Sequence, residues 1–281
     1  LKETRNYISR EVLFMRGVIL AGGHGTRLNP LTIITNKHLL PVYKKPMIYY
    51  PIETLAKVGI KDILIVTSGE YLGHFYKLLK TGEEFGVKLH YEIQEGNEGT
   101  GAALLCAEEF VRGDEFMVIL GDNIVTEDLT SFVKDFETEK DSFSAKILIT
   151  QSDNPKLYGV VEFKKDKITR LVEKPKVPFS NYVNTGLWIF KPEVFELLKK
   201  MKLSTRNEYE TTDVLHHYAE LEKLTYGILT SKWTDAGTFE QLYEATVLMK
   251  ELEEKEKKES EKDHVYQPSG VRTRKPSAQP V

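Results

Sequence analysis

Apolar positions in the first half of the chain fall into short, continuous runs rich in β-branched residues, at 17–21, 63–67, 89–94 and 116–120. Between them lie stretches with apolar residues at helical spacing. Runs of that length read as strands buried on both faces, and their alternation with helices predicts a parallel sheet with crossover helices. The helical stretches 46–58, 71–79 and 101–111 each stop at or near a glycine, Gly59, Gly82 and Gly113, a residue that readily takes the left-handed conformation ending a helix. Three consecutive right-handed βαβ units therefore open the chain. In such open sheets ligands bind beyond the carboxyl ends of the strands, so the residues following each strand are where chemistry is expected.

After about Ser142 the pattern changes to longer alternating segments, 143–150, 159–163, 168–173 and 182–190, with residues 165–167 as a hairpin turn. These predict a mixed or antiparallel extension of the same sheet. Two helices follow, one opened by Pro192 and one over 212–221, then a strand near 226–231 and a long helix from Thr238. The reading is one compact α/β domain over 15–250, with no internal repeat or linker. Residues 1–14 are charged and lack the zones of a secretory signal, which marks an extension before a start at Met15. Residues 251–262 are almost all Glu and Lys, and 264–281 are rich in Pro, Ser and Arg, so 251–281 is expected to be a solvated helix end followed by a disordered tail.

Composition removes several function classes. Lys and Arg number 39 against 42 Asp and Glu, a net charge of −3, so no general basic field gathers a nucleic acid. The tail's Arg272, Arg274 and Lys275 read as solvated charge. No stretch approaches the roughly 20 apolar residues of a membrane span. The single cysteine, Cys106, cannot form an internal disulfide, which suits a cytoplasmic, reducing setting, and its neighbours 102–107 suggest a buried structural thiol. His216 and His217 are adjacent on a predicted helix, so they point to different faces and cannot chelate one metal.

The first strand runs into Ala21-Gly22-Gly23-His24-Gly25-Thr26-Arg27. Three glycines let backbone N–H groups approach a phosphate closely, although the same loop alone could be a tight turn. Its spacing is neither the Walker pattern nor the dinucleotide fingerprint. Arg27 adds a planar guanidinium suited to phosphate oxygens, and Lys37 adds a point charge. The fourth strand ends in Leu120-Gly121-Asp122-Asn123, and a second carboxylate stands in Trp233-Thr234-Asp235-Ala236-Gly237-Thr238. Beside a phosphate cradle, two aspartates suggest Mg2+, which takes one or two carboxylates together with phosphate oxygens; the bland alternative is a turn-capping aspartate.

Together with Asn36-Lys37-His38-Leu39-Leu40-Pro41, Lys45-Pro46-Met47-Ile48-Tyr49-Tyr50-Pro51, Tyr158-Gly159-Val160, Glu173-Lys174-Pro175 and Asn184-Thr185-Gly186, these motifs resemble the glucose-1-phosphate thymidylyltransferases and their sugar nucleotidyltransferase relatives, in order, over roughly 15–250. The resemblance implies a Rossmann-like nucleotidyltransferase fold with a mixed, mostly parallel central sheet flanked by helices. It implies Mg2+ and the reaction of dTTP (or UTP) with glucose 1-phosphate to give a nucleotide sugar and pyrophosphate. Carried over by position, Gly22, Gly23, Gly25 and Thr26 would hold the triphosphate, with Arg27 and Lys37 countering its charge. Gln94 and Gly99 would meet the base, and Asp122 and Asp235 would bind the metal. Tyr158, Gly159, Glu173, Asn184 and Trp233 would line the sugar, and Lys174 would grip its phosphate. Trp233 reads equally as a core aromatic, and Tyr49 and Tyr50 as core packing.

A sugar phosphate is already an anionic nucleophile, so the chemistry needs positioning and charge neutralisation rather than a general base or a covalent intermediate. The chain departs from the resembled pattern at His38, where glutamine is usual, and at Gly99-Thr100-Gly101-Ala102-Ala103, where Gly-Leu-Ala-Gln-Ala is frequent. A missing thymine methyl is worth about 1–3 kcal/mol, so UTP remains a candidate substrate. Nothing after Lys250 resembles the extra helices that build a regulatory site and subunit contacts in long members, which leaves a homo-oligomer open. A UDP-sugar pyrophosphorylase and a catalytically silent nucleotide-sugar-binding protein are the competing readings.

Overall fold

The computed structural model describes residues 15–265 apart from Asn97 and Thr205. Expectations for 1–14 and for the tail from 266 onward lie outside the described residues.

The first half contains β1 (Arg16–Leu20), a short hairpin of β2 (Pro41–Val42) and β3 (Lys45–Pro46), α1 (Tyr49–Lys57), β4 (Asp62–Ser68), α2 (Leu72–Leu79), β5 (Lys88–Gln94), α3 (Thr100–Leu105), α4 (Glu108–Val111) and β6 (Phe116–Leu120). The second half adds β7 (Asn123–Val125), α5 (Thr130–Glu139), β8 (Ala145–Gln151), β9 (Gly159–Lys164), β10 (Lys167–Glu173), β11 (Tyr182–Phe190), α6 (Val194–Leu198), α7 (Thr211–Glu220), β12 (Leu224–Ile228), β13 (Trp233–Asp235) and α8 (Phe239–Val265). Among the described residues nine strands form one sheet, ordered β10-β9-β11-β6-β1-β4-β5, with β8 paired to β11 and β12 to β8. The β6-β1-β4-β5 portion is parallel, as the buried apolar runs predict, whereas β11 enters antiparallel to both β6 and β8.

Side chains alternate across this sheet into two cores. Val18, Leu64 and Val118 face α3, α4, α6 and α7, while Ile19, Ile65 and Ile119 face α1, α2 and α5. Each such fully buried aliphatic contributes about 1.5–3 kcal/mol relative to exposure. Because α1 and α2 cover one face and α3 and α4 the other, the winding reverses between β1 and β6. That reversal leaves a crevice at the carboxyl ends of these two strands, the place where open α/β sheets bind ligands.

A second opening comes from β11. Its pairing register shifts between Asn184 and Trp188, so residues 187–190 pair with β6 while Val183 pairs with β9. β6 and β9 thus share one edge of β11 at opposite ends, and the gap between them is a cavity. Gly186 makes the kink, with φ +82°, a conformation that disfavours side chains.

Several expectations shift locally. The helix expected over 101–111 is broken into α3 and α4 by a turn at Cys106 and Ala107. Ala107 turns into the core while Cys106 is partly buried and packed against it, its thiol facing the Ala102 carbonyl at 3.5 Å. Pro46 belongs to β3 and α1 begins only at Tyr49. The α8 helix continues without a break to Val265. No described helix is long and apolar enough to cross a membrane.

A Cβ at position 186 would lie 2.5 Å from Leu120 Cδ1 and 2.9 Å from Asn123 Nδ2. Gly186→Ala is therefore expected to destabilise the fold by about 1–3 kcal/mol through overpacking in an unfavourable backbone conformation. Urea unfolding checks this, and an unchanged midpoint would show that β11 can relax around the extra methyl.

Candidate active site

Where β1 ends, the Ala21 N–H donates to the Val66 carbonyl at 2.7 Å, holding the chain to the sheet as it turns into the glycine loop. The loop then passes through spaces that admit no side chain. A Cβ on Gly22 would lie 2.4 Å from Gln94 Oε1, and one on Gly25 (φ +65°) would lie 2.7 Å from Lys37 Cβ. Gly23 and Thr26 are exposed, Thr26 opening a 3-10 turn that ends at Leu28. The Lys37 segment is locked from beneath by Asn36, whose Nδ2 donates to the Ala21 carbonyl at 3.3 Å and whose Oδ1 accepts from the His38 N–H at 2.9 Å. The same oxygen lies 2.6 Å from His38 Nδ1. His38 is buried against Gly121, and burial, aided by the Lys37 charge, pushes its pKa down to about 3, so the ring is neutral.

β6 runs out through Gly121 into Asp122, after which β7 pairs antiparallel with β13. This small two-stranded sheet sets Asn123 opposite Asp235, and the Ala236 N–H donates to the Asp122 carbonyl at 3.0 Å. Two carboxylates distant in sequence are thereby brought to one place. Lys37 Nζ sits 2.5 Å from Asp122 Oδ2 in a buried contact. Burial is the largest single influence and by itself would raise the Asp122 carboxyl, but the charge and hydrogen bond of Lys37, with His38 and a backbone hydrogen bond, together outweigh it and hold the pKa down at about 2. Asp235 has no such cation in contact. Burial and then the nearby Asp122 charge push its pKa up to about 6, against donors from Tyr158 and Gln241 to Oδ1 at 2.8 and 2.5 Å. Trp233 Nε1 donates to Asn123 Oδ1, and its ring meets Tyr158 edge-on, centroids 5.3 Å apart. The indole is half-buried, braced by the β7–β13 pair and packed against the core on one side while it lines the adjacent cavity.

A cavity of about 240 Å³ opens between these carboxylates and the gap that separates β6 from β9. Arg27, Lys37, Asp122, Tyr158, Gly159, Glu173, Lys174, Asn184, Trp233 and Asp235, all singled out from sequence, line it together. Glu173 Oε2 accepts from Thr212 Oγ1 at 2.7 Å above Gly159, where a Cβ would approach that oxygen to 3.1 Å. Lys174 adopts φ +43°, with its N–H on the Tyr158 carbonyl at 3.0 Å and its Nζ 3.2 Å from Glu173 Oε1. Asn184 Oδ1 accepts from the Gly186 N–H at 3.2 Å and from Trp188 Nε1 at 2.8 Å, so the amide group it can offer a ligand is Nδ2. Gln94 and Gly99 are not part of this cavity. Gln94 lies against Gly22 and Gly99 against Glu208 and Tyr209; the two are joined by a 3.3 Å bond from Gln94 Nε2 to the Gly99 carbonyl, and Gln94 lines a neighbouring hollow of about 420 Å³.

Sequence reasoning did not find Arg206, Glu208 and Glu210, which also line the cavity. Arg206 Nη1 is 3.1 Å from Glu210 Oε1 and 3.6 Å from Glu173 Oε1, and Nη2 is 3.2 Å from Glu208 Oε2. These residues occupy the irregular segment between α6 and α7, which has no periodicity to betray it; a lone arginine followed by acids two and four residues on was the available signal. Burial, then the Glu173 charge, raises the Glu210 carboxyl. His216 and His217 lie on α7 as expected, with His216 Nδ1 accepting from the Leu171 N–H at 3.4 Å, and neither lines the cavity.

The arrangement is a glycine-loop cradle, a carboxylate pair and a cavity with cations at both ends, suited to holding two phosphorylated molecules against each other. Comparison with known proteins agrees. The family model of the nucleotidyl transferases matches residues 16–251. A glucose-1-phosphate thymidylyltransferase of Mycolicibacterium smegmatis is 41% identical over 243 residues, covering 85% of this chain and 83% of the relative. One of Neisseria meningitidis is 40% identical over 235 residues, covering 82% and 81%. A crystal structure of a Bacillus anthracis protein described as a glucose-1-phosphate thymidylyltransferase, in complex with sucrose, superposes with a TM-score of 0.80 at 42% identity, covering 83% of this chain and 94% of that one. A UDP-glucose pyrophosphorylase complexed with UDP-glucose superposes with a TM-score of 0.74 at 25% identity, covering 84% and 98%. On its motifs, its doubly wound sheet and these matches, the chain belongs to the nucleotidyl transferase family.

Proposed function

We propose that the protein transfers a thymidylyl group from dTTP to glucose 1-phosphate, releasing pyrophosphate. The observation that carries this reading is the meeting of Arg27, Lys37 and the Asp122–Asp235 pair with Lys174, Arg206, Glu173 and Asn184 around one cavity, while Gly23 and Gly25 of the glycine loop lie against Lys37. Relatives named for that reaction, near 40% identity over most of both chains, favour thymine and glucose over the uridylyl alternative.

In this scheme the glycine loop offers N–H groups to the triphosphate, and Gln94, held against Gly99, faces the base. Glu173, through its free carboxylate lone pairs, and Asn184, through Nδ2, hydrogen-bond sugar hydroxyls. Lys174 and Arg206 hold the sugar phosphate. A phosphate oxygen of the sugar attacks the α-phosphorus in line, and the bond from the α-phosphorus to the leaving pyrophosphate oxygen breaks. Arg27 and Lys37 counter the charge that accumulates on the pyrophosphate as it leaves. No side chain has to remove a proton, because the nucleophile is already ionised.

The donor set fits magnesium. Asp122 and Asp235 are hard carboxylates placed close enough for one charge to raise the other's pKa, a repulsion that a divalent cation relieves. Among the described residues no group of three or more His, Cys, Asp or Glu side chains is gathered to cage a metal, so phosphate oxygens and water would complete the shell. When bound there, magnesium would draw charge from the phosphate oxygens and help align them.

Three outcomes are expected. With magnesium and glucose 1-phosphate, pyrophosphate release is fastest with dTTP among dTTP, UTP, CTP, ATP and GTP; a preference for UTP would move the assignment to the uridylyl class. Arg27→Ala lowers kcat by roughly 10²–10³-fold while leaving the melting temperature unchanged, because Arg27 is exposed. The third concerns pH in metal-free protein. A carboxyl whose folded pKa is raised from 3.8 to about 6 destabilises the fold progressively as pH rises through that interval, since the native state holds the proton more tightly than the unfolded chain. Asp235→Asn is therefore stabilising above pH 6 and nearly neutral below pH 4 in thermal melts, and added magnesium shrinks the difference at neutral pH by stabilising the unmutated protein.

A further inference from the structure

Gln241 lies on the first turn of α8, outside every motif the sequence singled out. Its position is the third residue after Thr238, and the Gln241 N–H donates to Thr238 Oγ1 at 3.2 Å. A glutamine at that place in a helix commonly turns its side chain back to the capping residue's N–H, closing a capping box. Here the side chain goes elsewhere. Its Nε2 donates to Tyr158 Oη at 2.7 Å and to Asp235 Oδ1 at 2.5 Å, and its Oε1 is buried without a partner. A buried amide oxygen left without a partner is unfavourable, so this orientation needs a compensating contact. Rotating it by half a turn would set Oε1 against Asp235 Oδ1, acceptor facing acceptor, so the orientation is fixed by the carboxylate.

The consequence falls on Asp235. Tyr158 and Gln241 both donate to Oδ1, which leaves Oδ2 as its uncommitted oxygen; Oδ2 lies on the same side as the Arg27 guanidinium, both approaching the Gly237 position, at 3.3 and 2.8 Å from a Cβ built there. The helix that carries Gln241 is anchored independently, through Leu242, Ala245 and Met249 packed on Val42, Met47 and Ile124, so the amide is presented from a rigid element. We propose that Gln241 is a positioning residue for the candidate metal centre: with Tyr158 it clamps Oδ1 of Asp235 and presents Oδ2 to the divalent cation that accompanies the nucleotide. This rests on the reading of Asp122 and Asp235 as the metal pair. Donors that orient a ligating carboxylate typically matter about 10–100-fold in metal affinity.

The test is direct binding of Mn2+, standing in for Mg2+, to the protein with dTTP, followed by electron paramagnetic resonance. Gln241→Met keeps the side-chain length and removes the donor. It is expected to weaken Mn2+ binding about tenfold or more, while metal-free dTTP affinity and the melting temperature stay within error. Gln241→Asn, which withdraws the amide by one methylene, gives the same readout should the methionine variant not fold. Tyr158→Phe combined with Gln241→Met is expected to be non-additive, because both donors act on one oxygen. Mn2+ affinity equal to that of the unmutated protein in both Gln241 variants would overturn the proposal. So would a loss matched by an equal loss of metal-free nucleotide binding or of stability, which would mark a capping or packing role. Asp235→Asn separates the two layers: if it leaves Mn2+ binding intact, the metal reading itself fails, and if it abolishes binding while Gln241→Met does not, only the clamp fails.

Discussion

The contact between Lys37 and Asp122 governs the site. A carboxylate buried at the end of a central strand is costly unless a cation meets it, and Lys37 meets it at 2.5 Å. Much of the surrounding structure keeps that lysine in place. Asn36 ties the segment to the end of β1 through the Ala21 carbonyl, and His38, neutral and buried, fills the space beneath Gly121. A charged imidazole there would add a second positive charge in a place without water, so the burial that depresses its pKa also protects the Lys37–Asp122 balance. The glycine loop inherits its path from the same arrangement, because Lys37 and Gln94 occupy the volumes into which side chains at positions 25 and 22 would project.

Topology then determines what can meet this charge centre. The reversal of winding between β1 and β6 creates the crevice that receives the glycine loop, and the kink at Gly186 opens the second crevice between β6 and β9. The two are continuous because β7, following Asp122 directly, recruits β13 and brings Asp235 alongside. A straight β11 would pair with β6 along its length and close the cavity. The site is thus made from one break in winding, placed by the order of strands, and one break in register, placed by Gly186.

How much of this was legible depends on the kind of signal. Buried parallel strands are continuous apolar runs, and β1, β4, β5 and β6 lie within a residue or two of their expected positions. The hairpin of β9 and β10 was readable from alternation and a polar turn. The β7–β13 pair was not, since three-residue strands have no period, and yet it joins the two carboxylates. At the site, residues in compact motifs could be named, including ten that line one cavity. Arg206, Glu208 and Glu210 escaped because they act from an irregular segment. Gln241 escaped because its place on a helix start offers an ordinary capping explanation that only the direction of its side chain contradicts. The same kind of limit hid the turn at Cys106 and Ala107, because apolar spacing over 101–111 reads as one unbroken helix.

Charge balance links the cavity to the proposed reaction. Its lining carries Arg27, Lys37, Lys174 and Arg206 against Asp122, Asp235, Glu173, Glu208 and Glu210, so the protein alone is close to neutral there. Arg206 in particular is held by three carboxylates, which keeps an unliganded cluster of cations from repelling itself apart. A nucleoside triphosphate and a sugar phosphate together bring several further negative charges, more than these side chains leave uncompensated. Two anions of that kind can be pressed together only if positive charge arrives with them. In the proposed reaction a divalent cation entering with the triphosphate would supply it, and Asp235, whose carboxyl is raised by burial and by the Asp122 charge, is where such a cation would have most to gain.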